Sequence, residues 1–172
     1  VYNNLAVYHE HAGLLDRALD YNQRALARFR ETGNKRQQAN VLLSLGYLHN
    51  KRNEQDQALD CFDRSLEMME RIGNRFGIGT ALMAKGRCYA DMHQFEHAEA
   101  TLRRAQKLHA ELDLHKKFVA GSLSLARLYL GEGRGDDARQ VLDEARQIAE
   151  ANGYERDLDK IGEMEQKLPA TA

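Results

Sequence analysis

The chain has 172 residues with 25 basic and 26 acidic side chains, so its formal net charge is only −1. This balance excludes the broad positive field by which proteins hold nucleic acid or an anionic membrane surface. Hydrophobic residues make up 42% of the sequence, which is enough for a folded domain, and no apolar run has membrane-spanning length.

Apolar side chains recur every three or four residues in a series of segments, which is the spacing of amphipathic helices. The pattern breaks near residues 13, 33, 53, 73, 93, 113, 133 and 153, and proline is absent before Pro169. The predicted helices, in chain order, are 1–12, 14–32, 35–52, 55–72, 75–92, 95–112, 115–132, 135–152 and 155–168. The last has one apolar and one charged face, as expected of a helix that caps a stack.

Small residues repeat with a step of forty positions. One column consists of Ala18, Ala58, Ala98 and Ala138; a second of Ala6, Gly46, Gly86 and Ala126; a third of Ala25, Ser65, Ala105 and Ala145. A fixed period without insertions indicates a stack of one supersecondary unit, here a helical hairpin. We expect the first column to mark close helix contacts, with Gly46 and Gly86 facing it from the partner helix.

The order Leu45-Gly46, His49, Asn53, Ala58, Phe62, Ser65 resembles the tetratricopeptide repeat, and the pattern returns forty and eighty residues later. The forty-residue period is similar to the long-helix variant of kinesin light chains and bacterial regulators, including peptide-pheromone receptors. This resemblance implies an all-α, right-handed superhelical solenoid of antiparallel helix pairs. Departures are Lys85 in place of a leucine, Gly135 in place of a bulky residue, and no proline between repeats.

The resemblance covers nearly the whole chain, so we expect a single solenoid domain over residues 1–172. Its repeats are predicted at 1–34, 35–74, 75–114 and 115–154, followed by a capping helix at 155–168. Val1 starts inside a repeat without a methionine. We therefore expect the chain to be a piece of a longer protein.

Three features suggest chemistry, but each has a plainer explanation. The run 131–135 (Gly-Glu-Gly-Arg-Gly) lacks the preceding strand of a phosphate loop and falls in a turn column. His93 and His97 have the spacing of a zinc pair but no third ligand. Cys61 and Cys88 occupy largely apolar columns, as buried thiols do. We expect no catalytic residues, no metal and no cofactor.

In the resembled fold, the first helix of each pair lines a concave groove. The carry-over implies that Asn3, Val7 and Glu10 lie in that groove, with a central set of Asn40, Leu43, Ser44, Tyr47, Asn50, Lys51, Thr80, Met83, Arg87, Ser124 and Arg127. Arg87 and Arg127 are forty residues apart, so stacking would place them in register. They would then either bind a peptide carboxylate or pair with acids of the chain itself, such as Asp91.

The predicted function is a protein-interaction module that binds a protein or peptide, with acidic residues, in this groove, as the scaffolding or sensory part of a cytoplasmic bacterial regulator. One alternative is a domain that senses a peptide pheromone by a change of curvature. Another is self-association, as a homodimer, through an exposed terminal repeat. The near-zero net charge argues against a nucleic-acid partner.

Overall fold

The computed structural model describes residues 5–6, 9–10 and 13–169, and all regular secondary structure in these ranges is helical. Residues 5–6 and 9–10 are helical, and the rest of the predicted helix 1–12, with Asn3 and Val7, lies outside the described residues. The helices that follow are α1 (Leu15–Glu31), α2 (Lys35–Lys51), α3 (Gln55–Arg71), α4 (Arg75–Asp91), α5 (Phe95–Glu111), α6 (His115–Gly131), α7 (Gly135–Asn152) and α8 (Glu155–Glu165). The all-α prediction is confirmed.

Helices α1 to α7 begin and end within one residue of the predicted positions, whereas α8 stops three residues earlier than the predicted 168. Pro169 disfavours helical backbone at Leu168, the residue before it, and so limits how far α8 can continue. The backbone N–H groups of Lys167 and Leu168 instead donate to the carbonyls of Met164 and Glu165, at 3.0 Å each.

The turns between helices share one construction. Each contains a residue with positive φ, and these residues stand twenty positions apart: Gly13, Gly33, Asn53, Gly73, His93, Asp113, Gly133 and Gly153. Glycine takes this conformation without steric cost, and Asn, Asp and His are the side chains that tolerate it best. The next backbone N–H then donates to the carbonyl five residues earlier, at 2.9–3.0 Å, which is a Schellman closure.

The chain divides into two compact units, Val1–Cys88 and Tyr89–Ala172. In the first unit α1 packs on α2, and α2 packs on α3. Ala18 and Ala58 have no exposed surface, so the helices approach closely at these small side chains. The buried Ser65 hydroxyl donates to the Ala39 carbonyl at 2.8 Å, which fixes α3 against α2.

Gly46 on α2 faces an aromatic ring of α3. A Cβ on Gly46 would lie 2.4 Å from Cε1 of Phe62 on α3. Phe62 is only 1% exposed and therefore has little freedom to move away. The absent side chain at position 46 thus makes room for a large aromatic ring.

Lys85 on α4, which replaces the leucine of the resembled family, is compensated within the first unit. Its ammonium group forms an ion pair with the carboxylate of Asp63 on α3. The aliphatic stem of a lysine covers apolar surface while its charged end reaches a polar partner. The substitution therefore keeps the packing and adds an ion pair between neighbouring helices.

In the second unit α5 packs on α6, α6 on α7, and α8 on both α6 and α7. Ala98, Ala138 and Ile161 have no exposed surface. The Arg146 guanidinium binds the Glu165 carboxylate with distances of 3.0 and 2.5 Å, joining α7 to the end of α8. The helices α5, α7 and α8 thus all pack against α6.

His109 on α5 is fully buried in the second unit. Neither of its ring nitrogens hydrogen-bonds to another described residue. Burial, reinforced by the positive charge of Lys117, lowers the pKa of His109 to about 4. The imidazole therefore stays neutral at physiological pH and behaves as a core side chain, as Met69 does forty positions earlier.

We predict that Gly46→Ala lowers the free energy of unfolding by about 1–3 kcal/mol, because the new methyl group overlaps the Phe62 ring. Gly131→Ala is the control, since a Cβ there meets nothing within 4 Å and alanine favours helix. Urea denaturation measures both, and adding Phe62→Leu to Gly46→Ala should restore part of the loss. Equal effects of the two glycine substitutions would contradict the overlap.

We predict that His109 makes the protein less stable in acid. The unfolded histidine has a pKa of about 6.5. Because the folded pKa is lower, the unfolded chain takes up a proton first, and stability present above pH 6.5 is lost as the pH falls through about 4. In His109→Met this loss should be absent, so the two free energies of unfolding, measured in urea across this range, should diverge with decreasing pH. Parallel profiles would rule this out.

Candidate functional site

The predicted groove residues of α2 lie along one face of that helix. Asn40, Ser44, Tyr47 and Lys51 are spaced by three or four residues, so they follow one another along a helical stripe. Asn40, Tyr47 and Lys51 are exposed, and Ser44 is half-buried with its hydroxyl donating to the Asn40 carbonyl at 3.2 Å. Leu43 is half-buried beside the stripe. This face is one that a ligand can reach.

Tyr47 is the large side chain of this face, and 36% of it is exposed. Its ring meets the edge of Phe62, with centroids 5.5 Å apart and an interplanar angle of 71°. Desolvation raises the pKa of the Tyr47 phenol, and the positive charge of Arg87 on α4 opposes that rise. The phenol therefore remains neutral at physiological pH and can donate or accept a hydrogen bond.

Arg87 places a guanidinium on α4 close enough to Tyr47 to act on its ionisation. It is exposed and already engaged within the protein, so a ligand carboxylate would compete with existing interactions. A neutral phenol beside a guanidinium suits a peptide, because the phenol can bond to backbone groups and the guanidinium to a carboxylate.

The end of the α2 face carries an ion pair. The Lys51 ammonium lies 2.6 Å from the Glu10 carboxylate, and both residues belong to the predicted groove. The charge of Lys51 is therefore partly neutralised by the protein itself. Asn50, the neighbouring predicted residue, is half-buried and has interactions of its own.

The predicted residues of α4 offer less surface than those of α2. Thr80 is half-buried, and its hydroxyl donates to the Phe76 carbonyl at 3.0 Å within the helix. Met83 is only 6% exposed and so supplies packing rather than an open apolar contact. Arg87 is the exposed member of this group.

Ser124 and Arg127 belong to α6, a helix of the second unit. The Ser124 hydroxyl donates to the Ala120 carbonyl at 2.9 Å, so it is used within its helix. Arg127 is exposed. Each of the two units therefore presents one exposed groove arginine, Arg87 in the first and Arg127 in the second.

The second unit contains a polar cluster that the sequence did not reveal. The buried Tyr129 hydroxyl donates to Glu99 at 2.6 Å, and Arg134 binds the other oxygen of Glu99 at 2.7 Å. The Arg134 guanidinium also lies 4.4 Å from the centroid of the Tyr129 ring. The sequence repeats a ring-bearing residue at the forty-residue step, with His49, Tyr89 and Tyr129, but it does not show that Glu99 on a different helix meets Tyr129.

The electrostatics of this cluster identify it as structural. The Arg134 hydrogen bond holds the pKa of the Glu99 carboxyl below its usual range. Burial and the bond to Glu99 raise the pKa of Tyr129 to about 12. All three groups thus keep their ordinary charge at neutral pH, and their polar atoms point to one another. The first unit has a simpler version, with His49 Nδ1 2.7 Å from Glu54.

The remaining motifs singled out in the sequence are the glycine run, the histidines and the two cysteines. The glycine run is the turn between α6 and α7, where Gly133 has a φ of 72° and Gly135 packs on Pro169. Within residues 5–6, 9–10 and 13–169, no group of three His, Cys, Asp or Glu side chains is arranged to hold a metal ion. Cys61 and Cys88 are buried. None of the described helices is both long and apolar enough to cross a bilayer.

Comparison with solved structures shows where this fold occurs. The aspartyl phosphate phosphatase F of Bacillus subtilis superposes with a TM-score of 0.89 at 14% identity, covering 95% of this chain and 43% of that one. A Rap protein complexed with competence and sporulation factor gives 0.86 at 19% identity, covering 93% and 45%. This chain thus spans less than half the length of either protein.

A third similar structure, a putative kinesin light chain of Podosopora anserina with nearly identical TPR-like repeats, gives a TM-score of 0.72 at 14% identity, covering 99% of this chain and 96% of that one. At such identities these similarities show a common fold. No curated protein sequence matches the chain significantly. The sequence model of the tetratricopeptide repeat, however, matches residues 1–71 and 55–111, which together span more than half of the chain. The chain therefore belongs to the tetratricopeptide repeat family.

Proposed function

We propose that this chain is a non-catalytic interaction module whose first unit binds a peptide segment with acidic side chains along the exposed face of α2. The observation that carries the proposal is that a partly exposed, neutral Tyr47 lies within the electrostatic influence of the Arg87 guanidinium. Tyrosine and arginine are the residues most often found among the few that dominate binding energy at interfaces.

The charge of the α2 face suits an acidic ligand. Lys51 and Arg87 add positive charge at exposed positions, where Lys51 pairs with Glu10 and Arg87 is engaged by other groups of the protein. A peptide carboxylate near Arg87 would gain a charge-assisted hydrogen bond, while the Tyr47 ring supplies apolar area at low entropic cost. Leu43 adds a half-buried apolar contact next to the stripe.

The kind of ligand is supported by analogy. A Rap protein of the same fold was crystallised in complex with competence and sporulation factor, so this architecture can hold a partner. We propose the scaffolding or sensory part of a bacterial cytoplasmic regulator as the setting, for which the buried, unoxidised thiols of Cys61 and Cys88 are suitable.

We predict that Tyr47→Ala and Arg87→Ala each weaken the binding of an acidic peptide selected by display against the whole chain. The expected loss is about 2 kcal/mol each, or roughly thirtyfold in Kd, measured by calorimetric titration. Tyr47→Phe separates the ring from the hydroxyl and should lose less. Circular dichroism should show unchanged helix content, since both side chains are exposed.

Arg17→Ala is the control, because Arg17 is an exposed cation on α1 and not on the predicted face of α2. Its affinity should change less than twofold, as is usual for an exposed charge away from an interface. The proposal fails if Tyr47→Ala and Arg87→Ala bind as tightly as the control. Arg127→Ala tests separately whether the second unit takes part.

Two further functions are distinguished by simple measurements. A peptide-sensing domain, as the Rap comparison suggests, would change its small-angle scattering when the selected peptide binds, whereas a rigid scaffold would not. Self-association would appear as a dimer in sedimentation, and the 44%-exposed Leu14 at the first turn is the apolar residue to substitute there.

A further inference from the structure

A cleft runs along the opposite side of the first unit. It consists of two adjoining openings between α1 and α3, with volumes of about 500 and 240 Å³. The two openings share Leu26, Arg30, Leu42 and Arg64 in their walls, so they are parts of one depression. We call it the α1–α3 cleft.

The floor of the cleft is apolar. Leu26 comes from α1, Leu42 and Leu45 from α2, and Cys61 from α3. Each is between 3% and 7% exposed, so a little of each side chain remains in contact with solvent at the bottom of the cleft. Burial raises the pKa of the Cys61 thiol, which keeps it uncharged. This surface favours leucine-like side chains of a ligand.

The larger opening also contains two carboxylates, Asp56 and Asp60, whereas the smaller opening has an excess of positive charge. Its walls contain Arg30, Lys35, Arg64 and Arg71, against a single carboxylate, Glu67. Arg71 pairs with Glu67 at 2.6 Å and Arg64 pairs with Asp60 at 3.1 Å, both across one turn of α3. Such exposed ion pairs contribute little energy, so a ligand carboxylate can compete for these arginines.

Arg30 and Lys35 differ from those two arginines. They flank the turn between α1 and α2, both are exposed, and neither forms an ion pair with any other residue in the described ranges. A guanidinium and an ammonium group beside an apolar floor form a surface complementary to a carboxylate next to an aliphatic side chain. The charge pattern thus favours a ligand carboxylate at the smaller opening, beside Arg30 and Lys35.

The cleft is separate from the face that carries Tyr47. On α2, Leu42, Leu45 and His49 point into the cleft, while Asn40, Tyr47 and Lys51 belong to the exposed stripe. At 100° per residue, Tyr47 lies about 140° around the helix from Leu42. A ligand in the cleft therefore would not displace one on the Tyr47 face.

We propose that the α1–α3 cleft is a second docking site, which takes an amphipathic segment of a partner protein with leucine-like side chains on one face and carboxylates beside them. The apolar side chains lie on Leu26, Leu42 and Leu45, and the carboxylates meet Arg30 and Lys35. The chain can then hold two partners at once, one on each side of α2.

The test uses the full chain and synthetic peptides that have leucine at every third or fourth position and glutamate between. Fluorescence anisotropy measures Kd, and methyl NMR locates the peptide through the leucine signals. We expect shifts at Leu26, Leu42 and Leu45, affinity that falls with added salt, and binding at least about tenfold weaker for the matching Leu/Lys and Ala/Glu peptides.

The double variant Arg30→Glu, Lys35→Glu should weaken the Leu/Glu peptide about tenfold. The control Arg17→Glu, Arg36→Glu makes the same change of net charge at exposed sites outside the cleft and should retain affinity. Tyr47→Ala should also retain it, which separates this site from the proposed function. No binding, equal losses in both double variants, or shifts confined to other methyl groups would each overturn the second site.

Discussion

One backbone conformation repeated every twenty residues determines the rest of this structure. A residue with positive φ and the hydrogen bond that follows it end a helix at the same place each time, so α1 to α6 are all seventeen residues long. Equal helices joined by equal turns keep their side chains in one register. The small residues then lie at the same position in each repeat, and the larger side chains pack around these close contacts.

The register of the helices also decides which side chains each helix exposes to solvent. The helix α2, the first of its pair, packs on both of its neighbours in sequence, α1 and α3. It still has one exposed stripe, because 3.6 residues per turn distribute the side chains all around the helix axis. Tyr47 and Lys51 lie on that stripe, while Leu42 and Leu45 form the floor of the α1–α3 cleft. Binding by such a module therefore depends on side chains that packing leaves uncommitted, and substitutions there change partners with little cost to the fold.

Most polar groups inside the two units, by contrast, are bonded to other groups of the protein. The Tyr129–Glu99–Arg134 cluster, the Ser65 hydroxyl and the Lys85–Asp63 pair all satisfy polar atoms within the protein. The ring nitrogens of His109 have no hydrogen-bond partner among the described residues, and this side chain avoids the cost of a buried charge by staying neutral. These groups stabilise and orient the helices, and they are not available to bind a ligand.

The sequence alone determined the helices, the turns and the columns of small residues, because these depend on local spacing and on what a positive φ tolerates. It also placed the stripe of Asn40, Tyr47 and Lys51 on one helix face. Only the tertiary structure decided that Gly46 makes room for Phe62, that Met83 is buried, that Lys51 pairs with Glu10, and that Arg30 and Lys35 border an apolar cleft. Those contacts join side chains from different helices, whose lengths and rotamers no periodicity specifies.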